Sequence, residues 1–195
     1  MHTLLFTGHL IDSKNRKSPR FPAEKESLVK DAMTNQIMEI NAQFTNLIGI
    51  AGGASGGDIL FHEICAMLNI PTEIYLGLSV EDFMSESVSP AGAHWEKRYM
   101  NLIDTLPVHI YKGLKEGENV WEQTNLWMLR SAMKDGPRQA TLLALWDGKE
   151  GDGPGGVAHF IEAATQSDVK VKTIDIKCII DRLHIASETV NKAKK

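Results

Sequence analysis

Short apolar segments alternate with helix-like segments along almost the whole chain, and this alternation limits the possible fold more than any other feature of the sequence. Between the apolar segments, hydrophobic residues recur every three or four positions, which is the spacing of an amphipathic helix. The predicted strands are 3–7, 47–51, 72–76, 108–111, 141–146 and 169–176. Helices are predicted at 23–44, 58–68, 93–103, 121–133 and 157–165, and the stretch 79–92 is predicted to be irregular.

Strands separated by helices of this length are expected to run parallel, with right-handed crossovers and helices on both faces of the sheet. Strands such as "LIGIA" and "TLLALW" are apolar at successive positions, as strands covered on both faces should be. The sequence therefore predicts the α/β class, a single doubly wound, Rossmann-like and mostly parallel sheet flanked by helices. A chain of 195 residues has the length of one domain. We assign 1–176 to this domain and 177–195 to a C-terminal helix or tail.

The overall charge disfavours a nucleic-acid polymer as the main partner. The formal net charge is -4, and a phosphate backbone needs concentrated lysine and arginine. The two short basic stretches, 14–20 and 192–195, are interpreted as a solvated loop and a solvated tail.

Cysteine usage and hydropathy indicate a cytoplasmic protein. Cys65 and Cys178 lie far apart and outside any C-x-x-C pair, which predicts neither a disulfide framework nor a zinc site. The apolar run at the N-terminus is too short for a signal peptide, and no segment approaches the length of a membrane span. No membrane partner is expected.

The loops that follow strands one, two and five are the predicted ligand-binding region. In an open parallel sheet, ligands bind beyond the carboxyl ends of the strands, near the point where the strand order reverses. These loops read "TGHLID", "AGGASGGD" and "WDGKEGDGPGGV", and glycine is concentrated in the last two.

The loop "GGASGGD" after strand two is a candidate phosphate or ribose-phosphate site. Glycines between a strand and a helix N-terminus let an anion approach backbone N–H groups, and the helix dipole adds partial positive charge there. The alternative is a tight turn in which the aspartate caps the helix. Four glycines in six residues exceed what such a turn requires, so the ligand site is favoured. Its predicted residues are Gly52, Gly53, Ser55, Gly56, Gly57 and Asp58.

The loop after strand five repeats this arrangement before the helix at 157–165. Asp147, Gly153, Gly155 and Gly156 are its predicted ligand-binding residues. Glu162 lies about two turns into the helix, where it could accept ribose hydroxyls or stabilise positive charge on a ribose ring. Taken alone, Glu162 is better explained as an exposed helix acid.

The loop after strand one contributes Thr7, Gly8 and His9, close to the predicted centre of the sheet. His9 is a candidate ligand contact, and a structural hydrogen bond to a neighbouring loop is an equal alternative.

The helix at 93–103 carries the last candidate group. Trp95 could stack on a base and Arg98 could reach a phosphate, although tryptophan and tyrosine four residues apart more often indicate core packing. His94 has no histidine or cysteine partner at metal-ligand spacing, so no metal site is predicted. Asn125, in the middle of a predicted helix, could contact a ligand or face solvent.

The paired motifs "GGASGGDILFHE" and "GPGGVAHFIE" resemble those of the SLOG superfamily, which includes the LOG phosphoribohydrolases and the DNA-processing Smf proteins. LOG enzymes carry the motif P-G-G-x-G-T-x-x-E, and Pro154, Gly155, Gly156 and Glu162 match it. The motif's Gly-Thr pair is replaced here by Ala158-His159. As a whole-chain pattern, "TGHLID" and "LWDGKEGDGPGG" further resemble bacterial SLOG-like domains that occur alone or fused to signalling modules.

The resemblance implies a Rossmann-like domain that binds a nucleotide or a nucleotide-derived molecule. A sensing or binding domain is the first hypothesis, with phosphate at Gly52–Gly57 and Gly153–Gly156 and the base near Trp95. The alternative is a nucleotide N-glycosidase, for which the resemblance implies Glu162 and Arg98 as catalytic residues. A protein-interaction scaffold is the least favoured hypothesis. SLOG relatives are commonly dimers or larger, which implies a homo-oligomer, and no cofactor is expected.

Overall fold

The computed structural model describes residues 1–13, 16–149 and 155–179. It contains a six-stranded sheet with the order β4-β3-β2-β1-β5-β6, in which every pair of neighbouring strands is parallel. The strands are β1 His2–Gly8, β2 Leu47–Ala51, β3 Thr72–Leu76, β4 Val108–Ile110, β5 Ala140–Trp146 and β6 Lys170–Asp175. The predicted α/β class and doubly wound sheet are confirmed. The sequence predicted a mostly parallel sheet, and all five strand pairs of the observed sheet are parallel.

Helices cover both faces of this sheet. Their bounds are α1 Glu26–Asn41, α2 Gly57–Met67, α3 Val80–Ser87, α4 Ala93–Thr105, α5 Val120–Ala132 and α6 Val157–Gln166. Short 3-10 turns occupy Ala23–Lys25, Ser89–Ala91 and Pro137–Gln139. Residues 176–179 are helical, and the remainder of the predicted C-terminal helix lies outside the described ranges.

The side chains of β1 alternate between two hydrophobic cores. Leu4 and Phe6 pack into one core, with residues of α1, α2, α3 and α4. Leu5 packs into the other, with residues of α5 and α6. This alternation follows from the two-residue period of a strand, and it places α5 and α6 on the opposite face from the first four helices.

The prediction was wrong for the segment 79–92, which is not irregular. It forms α3 and a 3-10 turn, because the Ser79 side chain accepts the N–H of Asp82 and caps the helix while Phe83 and Val88 are buried. The other predicted helices and strands are present in the described ranges, and their observed ends differ from the predicted ends by a few residues.

The strand order reverses at β1, which lies between β2 and β5. The loops after these three strands are therefore neighbours, as predicted. Within the described ranges, no helix has the length and apolar character that a membrane span requires.

Candidate functional site

A cavity of about 370 Å³ opens at the carboxyl ends of β1, β2, β3 and β5, where the strand order reverses. Its volume lies in the range of small-molecule sites. Seven of the predicted ligand-binding residues line it: Thr7, Gly8, His9, Gly52, Asp58, Gly155 and Gly156. The structure thus brings residues of all three predicted loops to one cavity. A second hollow beside the end of α5, lined by residues such as Arg130 and Lys134, includes none of these loops.

The loops after β1 and β2 are joined by backbone hydrogen bonds. Ile11 N–H donates to the Ser55 carbonyl at 3.0 Å, and Gly57 N–H donates to the His9 carbonyl at 3.1 Å. Gly56 has a φ of +105°, and a Cβ there would lie 2.5 Å from the Ile11 nitrogen. Glycine is therefore required at this position by the close approach of the two loops. Ser55, Gly56 and Gly57 join the loops and do not line the cavity.

Gly52 and Gly53 end β2 in a crowded environment. A Cβ on Gly53 would lie 2.9 Å from the Tyr99 ring, and one on Gly52 would lie 2.6 Å from Oδ2 of Asp58. Of these two glycines, Gly52 lines the cavity and Gly53 does not. The absence of a side chain at Gly52 thus makes room for the Asp58 carboxyl group.

Asp58 presents a carboxyl group to the cavity. Its Oδ2 accepts the N–H of Ala54 at 3.2 Å, and its side chain caps no N–H of α2. The helix-cap alternative is therefore wrong for this residue. Burial raises the pKa of Asp58 to about 7, and the hydrogen bond from Ala54 opposes that rise only in part. A carboxyl group that titrates near neutral pH in a cleft is typical of a functional site.

His9, Asp147 and Arg20 form a polar cluster beside the cavity. His9 Nε2 accepts the backbone N–H of Asp147 at 3.2 Å and lies 3.2 Å from Asp147 Oδ1. Arg20 binds the same carboxylate through Nε at 2.9 Å and Nη2 at 3.2 Å. Burial lowers the pKa of His9 despite the nearby carboxylate, which keeps the imidazole neutral and able to accept. Burial opposes ionisation of Asp147, yet the Arg20 hydrogen bonds prevail and lower its pKa.

The prediction of a solvated basic loop was wrong for Arg20, whose side chain is only 11% exposed and lines the cavity. Asp12 shapes this loop, because its Oδ2 accepts the N–H groups of Arg20 and Phe21 at 2.9 Å each. Phe21 is fully buried and anchors the segment. Local composition gave no signal for this arrangement, since the partners of Arg20 are distant in sequence.

Helix α5 forms the opposite wall of the cavity and holds the loop after β5. The Asn125 side chain is buried and donates to the Gly155 carbonyl at 2.7 Å. Gly155 has a φ of +84°, and a Cβ there would lie 2.5 Å from Cβ of Trp121. Asn125 therefore does not face solvent; it positions this loop and lines the cavity, and its contact with a ligand stays a prediction.

Three aromatic side chains that were not predicted to be site residues line the same cavity. Tyr75 is the penultimate residue of β3, Trp121 lies in the first turn of α5, and Trp146 is the last residue of β5. Their positions at the carboxyl ends of strands, or at the start of a helix, were the signal available in the sequence.

The predicted catalytic residues lie elsewhere. The Arg98 guanidinium binds Glu63 through two contacts of 2.7 Å and Glu26 through one of 2.7 Å, and it covers the Trp95 ring at 4.0 Å. Trp95 is a core residue with 4% exposure. Glu162 is exposed on α6 and accepts a hydrogen bond from Gln166. None of Arg98, Trp95 and Glu162 lines the cavity.

The predicted ligand residue Gly153 lies outside the described residues, together with Glu150, Asp152 and Pro154. Asp147 is described and lies behind the cavity, where it holds His9 and Arg20. Among the described residues, no group of three His, Cys, Asp or Glu side chains is arranged to hold a metal ion.

Comparisons with known proteins bear on the fold. No protein-family model and no curated protein matches the sequence. The chain is similar to the X-ray structure of DNA processing protein A from Streptococcus pneumoniae, with a TM-score of 0.52 and 16% identity. The match covers 88% of this chain and 50% of that one, so the chain spans about half the length of the protein it matches. At this identity the match supports a shared α/β, Rossmann-like fold and leaves the activity open.

Proposed function

We propose that this protein binds a nucleotide or a nucleotide-derived small molecule in the cavity at the carboxyl edge of the sheet. The observation that carries the proposal is the convergence of three loops on one cavity where the strand order reverses. Both glycine-containing loops contribute backbone to it, through Gly52 on one side and Gly155 and Gly156 on the other. This is the position at which open parallel α/β sheets bind their ligands.

The residues that line the cavity suit the base and the sugar of a nucleotide. Trp121, Trp146 and Tyr75 offer aromatic surfaces on which a base could stack. Thr7, Asn125 and Asp58 offer polar atoms for a sugar or for the edge of a base. The net charge of -4 supports a small ligand over a nucleic-acid polymer. No contact brings Glu162 and Arg98 to the cavity, so binding is proposed ahead of N-glycoside cleavage by that pair.

The test is mass spectrometry of the purified protein with ribo- and deoxynucleoside monophosphates, NAD, ADP-ribose and cyclic nucleotides. Retained ligand and released base are both measured. Trp146→Ala should weaken binding of the retained ligand about tenfold through lost stacking. The matched control is Phe44→Ala, because Phe44 stacks on His2 and neither residue lines the cavity.

Three results would count against the proposal. The first is that no member of the panel is retained. The second is equal binding by wild type and Trp146→Ala. The third is release of a free base, which would make the protein an enzyme in place of a binding domain.

A further inference from the structure

Asp58 is the acidic side chain that meets the interior of the cavity from the glycine-rich loop after β2. Gly52 leaves space for its carboxyl group, and the Ala54 N–H holds Oδ2 in place. Its Oδ1 makes no hydrogen bond within the described part of the chain. It is not among the buried polar atoms that lack a partner, so it remains accessible. An acceptor atom is therefore available to a molecule in the cavity.

Three backbone N–H groups of the same loop already have acceptors within the protein. The N–H groups of Ala54, Ser55 and Gly57 donate to Asp58, the Ser87 carbonyl and the His9 carbonyl, respectively. A phosphate here would also face the Asp58 carboxyl group. Among the described residues that line the cavity, the cation is Arg20, which binds Asp147 at the loop after β5. Charge repulsion from the Asp58 carboxylate thus disfavours the predicted phosphate position at Gly52–Gly57.

We infer that Asp58 determines ligand specificity by accepting hydrogen bonds from an uncharged part of the ligand, the sugar hydroxyls or the amino group of a base. The inference rests on the proposed function and deepens it, because it fixes which end of a nucleotide faces the loop after β2. The phosphate end then points away from this loop. Hydroxyl and amino groups are the donors that a carboxyl group can pair with in a partly desolvated site.

This arrangement makes binding depend on pH. An ionised carboxylate accepts hydrogen bonds more strongly than a protonated carboxyl group, and the raised pKa of Asp58 places this change near pH 7. The pKa values of the neighbouring groups move away from pH 7: burial lowers those of His9 and His62, that of Asp147 is lowered and that of Tyr75 is raised. Arg20 and Glu63 are in ion pairs. Affinity for the uncharged part should therefore rise with pH.

The experiment measures dissociation constants of AMP, GMP, CMP and UMP and of their four nucleosides by titration calorimetry at pH 6.0, 7.0 and 8.5. Nucleosides lack the phosphate, whose own second ionisation near pH 6 would otherwise confuse the result. Wild type should bind a nucleoside about fivefold more tightly at pH 8.5 than at pH 6.0. Asp58→Asn should bind that nucleoside and its nucleotide about tenfold more weakly at pH 8.5, and its affinity for the nucleoside should no longer depend on pH.

The matched control is Asp104→Asn, an exposed carboxylate on α4 that does not line the cavity. Tighter nucleotide binding by Asp58→Asn with unchanged nucleoside binding would overturn the inference, because it would place the phosphate beside this residue. A wild-type nucleoside affinity that is flat with pH would overturn it without any variant. Failure of wild type to bind any of the eight compounds would overturn the inference, whereas retention of no compound in the mass-spectrometry test as well would contradict the proposed function.

Discussion

At the scale of single residues, the surroundings of each acidic side chain decide its chemistry more than its place in a motif does. Asp147 is held ionised by the Arg20 guanidinium, whereas Asp58 lies near the same cavity with one backbone N–H as its partner. Glu162, which matches a family motif, is exposed on α6. Of these three carboxyl groups, that of Asp58 lines the cavity. Burial raises its pKa, and a raised pKa can be measured without any ligand.

The first prediction concerns the pH dependence of stability. Because the pKa of Asp58 is raised in the folded protein to about 7 from 3.8, its contribution to stability is full below pH 3.8 and is lost as the pH rises through 7. Asp58→Asn removes this loss. Its free energy of unfolding relative to wild type should increase by about 2 kcal/mol from pH 4 to pH 8, a value reduced for the solvent that reaches the carboxyl group. Urea denaturation of both proteins at several pH values measures this, and parallel profiles would contradict it.

The second prediction concerns Arg98. Arg98→Met leaves the carboxylates of Glu26 and Glu63 without their shared cation, and both are partly exposed, so stability should fall by about 2 kcal/mol. Ligand binding should not change, because Arg98 does not line the cavity. Denaturation and ligand titration of the same variant provide the two readouts, with exposed Arg138→Met as the control. Lost binding with unchanged stability would restore Arg98 to the site.

At the scale of elements, the glycine-rich loop after β2 packs closely against the loop after β1. The backbone of Gly56 approaches the backbone of Ile11, and this contact brings the ends of β1 and β2 together. Gly56 thus joins two loops that border the cavity, although it does not line the cavity itself.

The third prediction separates this close approach from simple backbone strain. Gly56 and Gly92 both have positive φ values, +105° and +97°, but a Cβ on Gly92 would meet nothing within 4 Å. Gly92→Ala should therefore cost about 1 kcal/mol from strain alone. Gly56→Ala should cost about 3 kcal/mol, because its Cβ also collides with the Ile11 nitrogen. Guanidinium denaturation compares the two, and equal losses would show that the loop contact does not contribute.

The elements were largely predictable because their signals are local. The buried strands are short apolar runs, and even α3 had a local signal, since Ser79 precedes Asp82 by the three residues of a helix N-cap. The site was less predictable because its contacts are distant in sequence. Arg98 pairs with Glu26, which is 72 residues away, and Arg20 pairs with Asp147, which is 127 residues away. Spacing within a helix could not reveal either pair.

At the scale of the whole molecule, the cavity lies at the carboxyl edge of the sheet, between elements that cover its two faces. Asp58 belongs to α2 on one face, while Asn125 and Gly156 belong to α5 and the start of α6 on the other. The order reversal at β1 brings these elements together, although no local motif spans them. A ligand in the cavity would therefore contact both halves of the molecule at once.

The last prediction tests this bridging role by hydrogen exchange. When the nucleotide retained in mass spectrometry is added at ten times its dissociation constant, amide exchange should slow in both 52–59 and 155–160. The slowing should be about tenfold wherever exchange requires release of the ligand. The edge strand Val108–Ile110 has no residue in the cavity lining and should exchange at an unchanged rate. Slowing in only one of the two loops would mean that the ligand contacts one face alone, and the three-loop site would then be wrong.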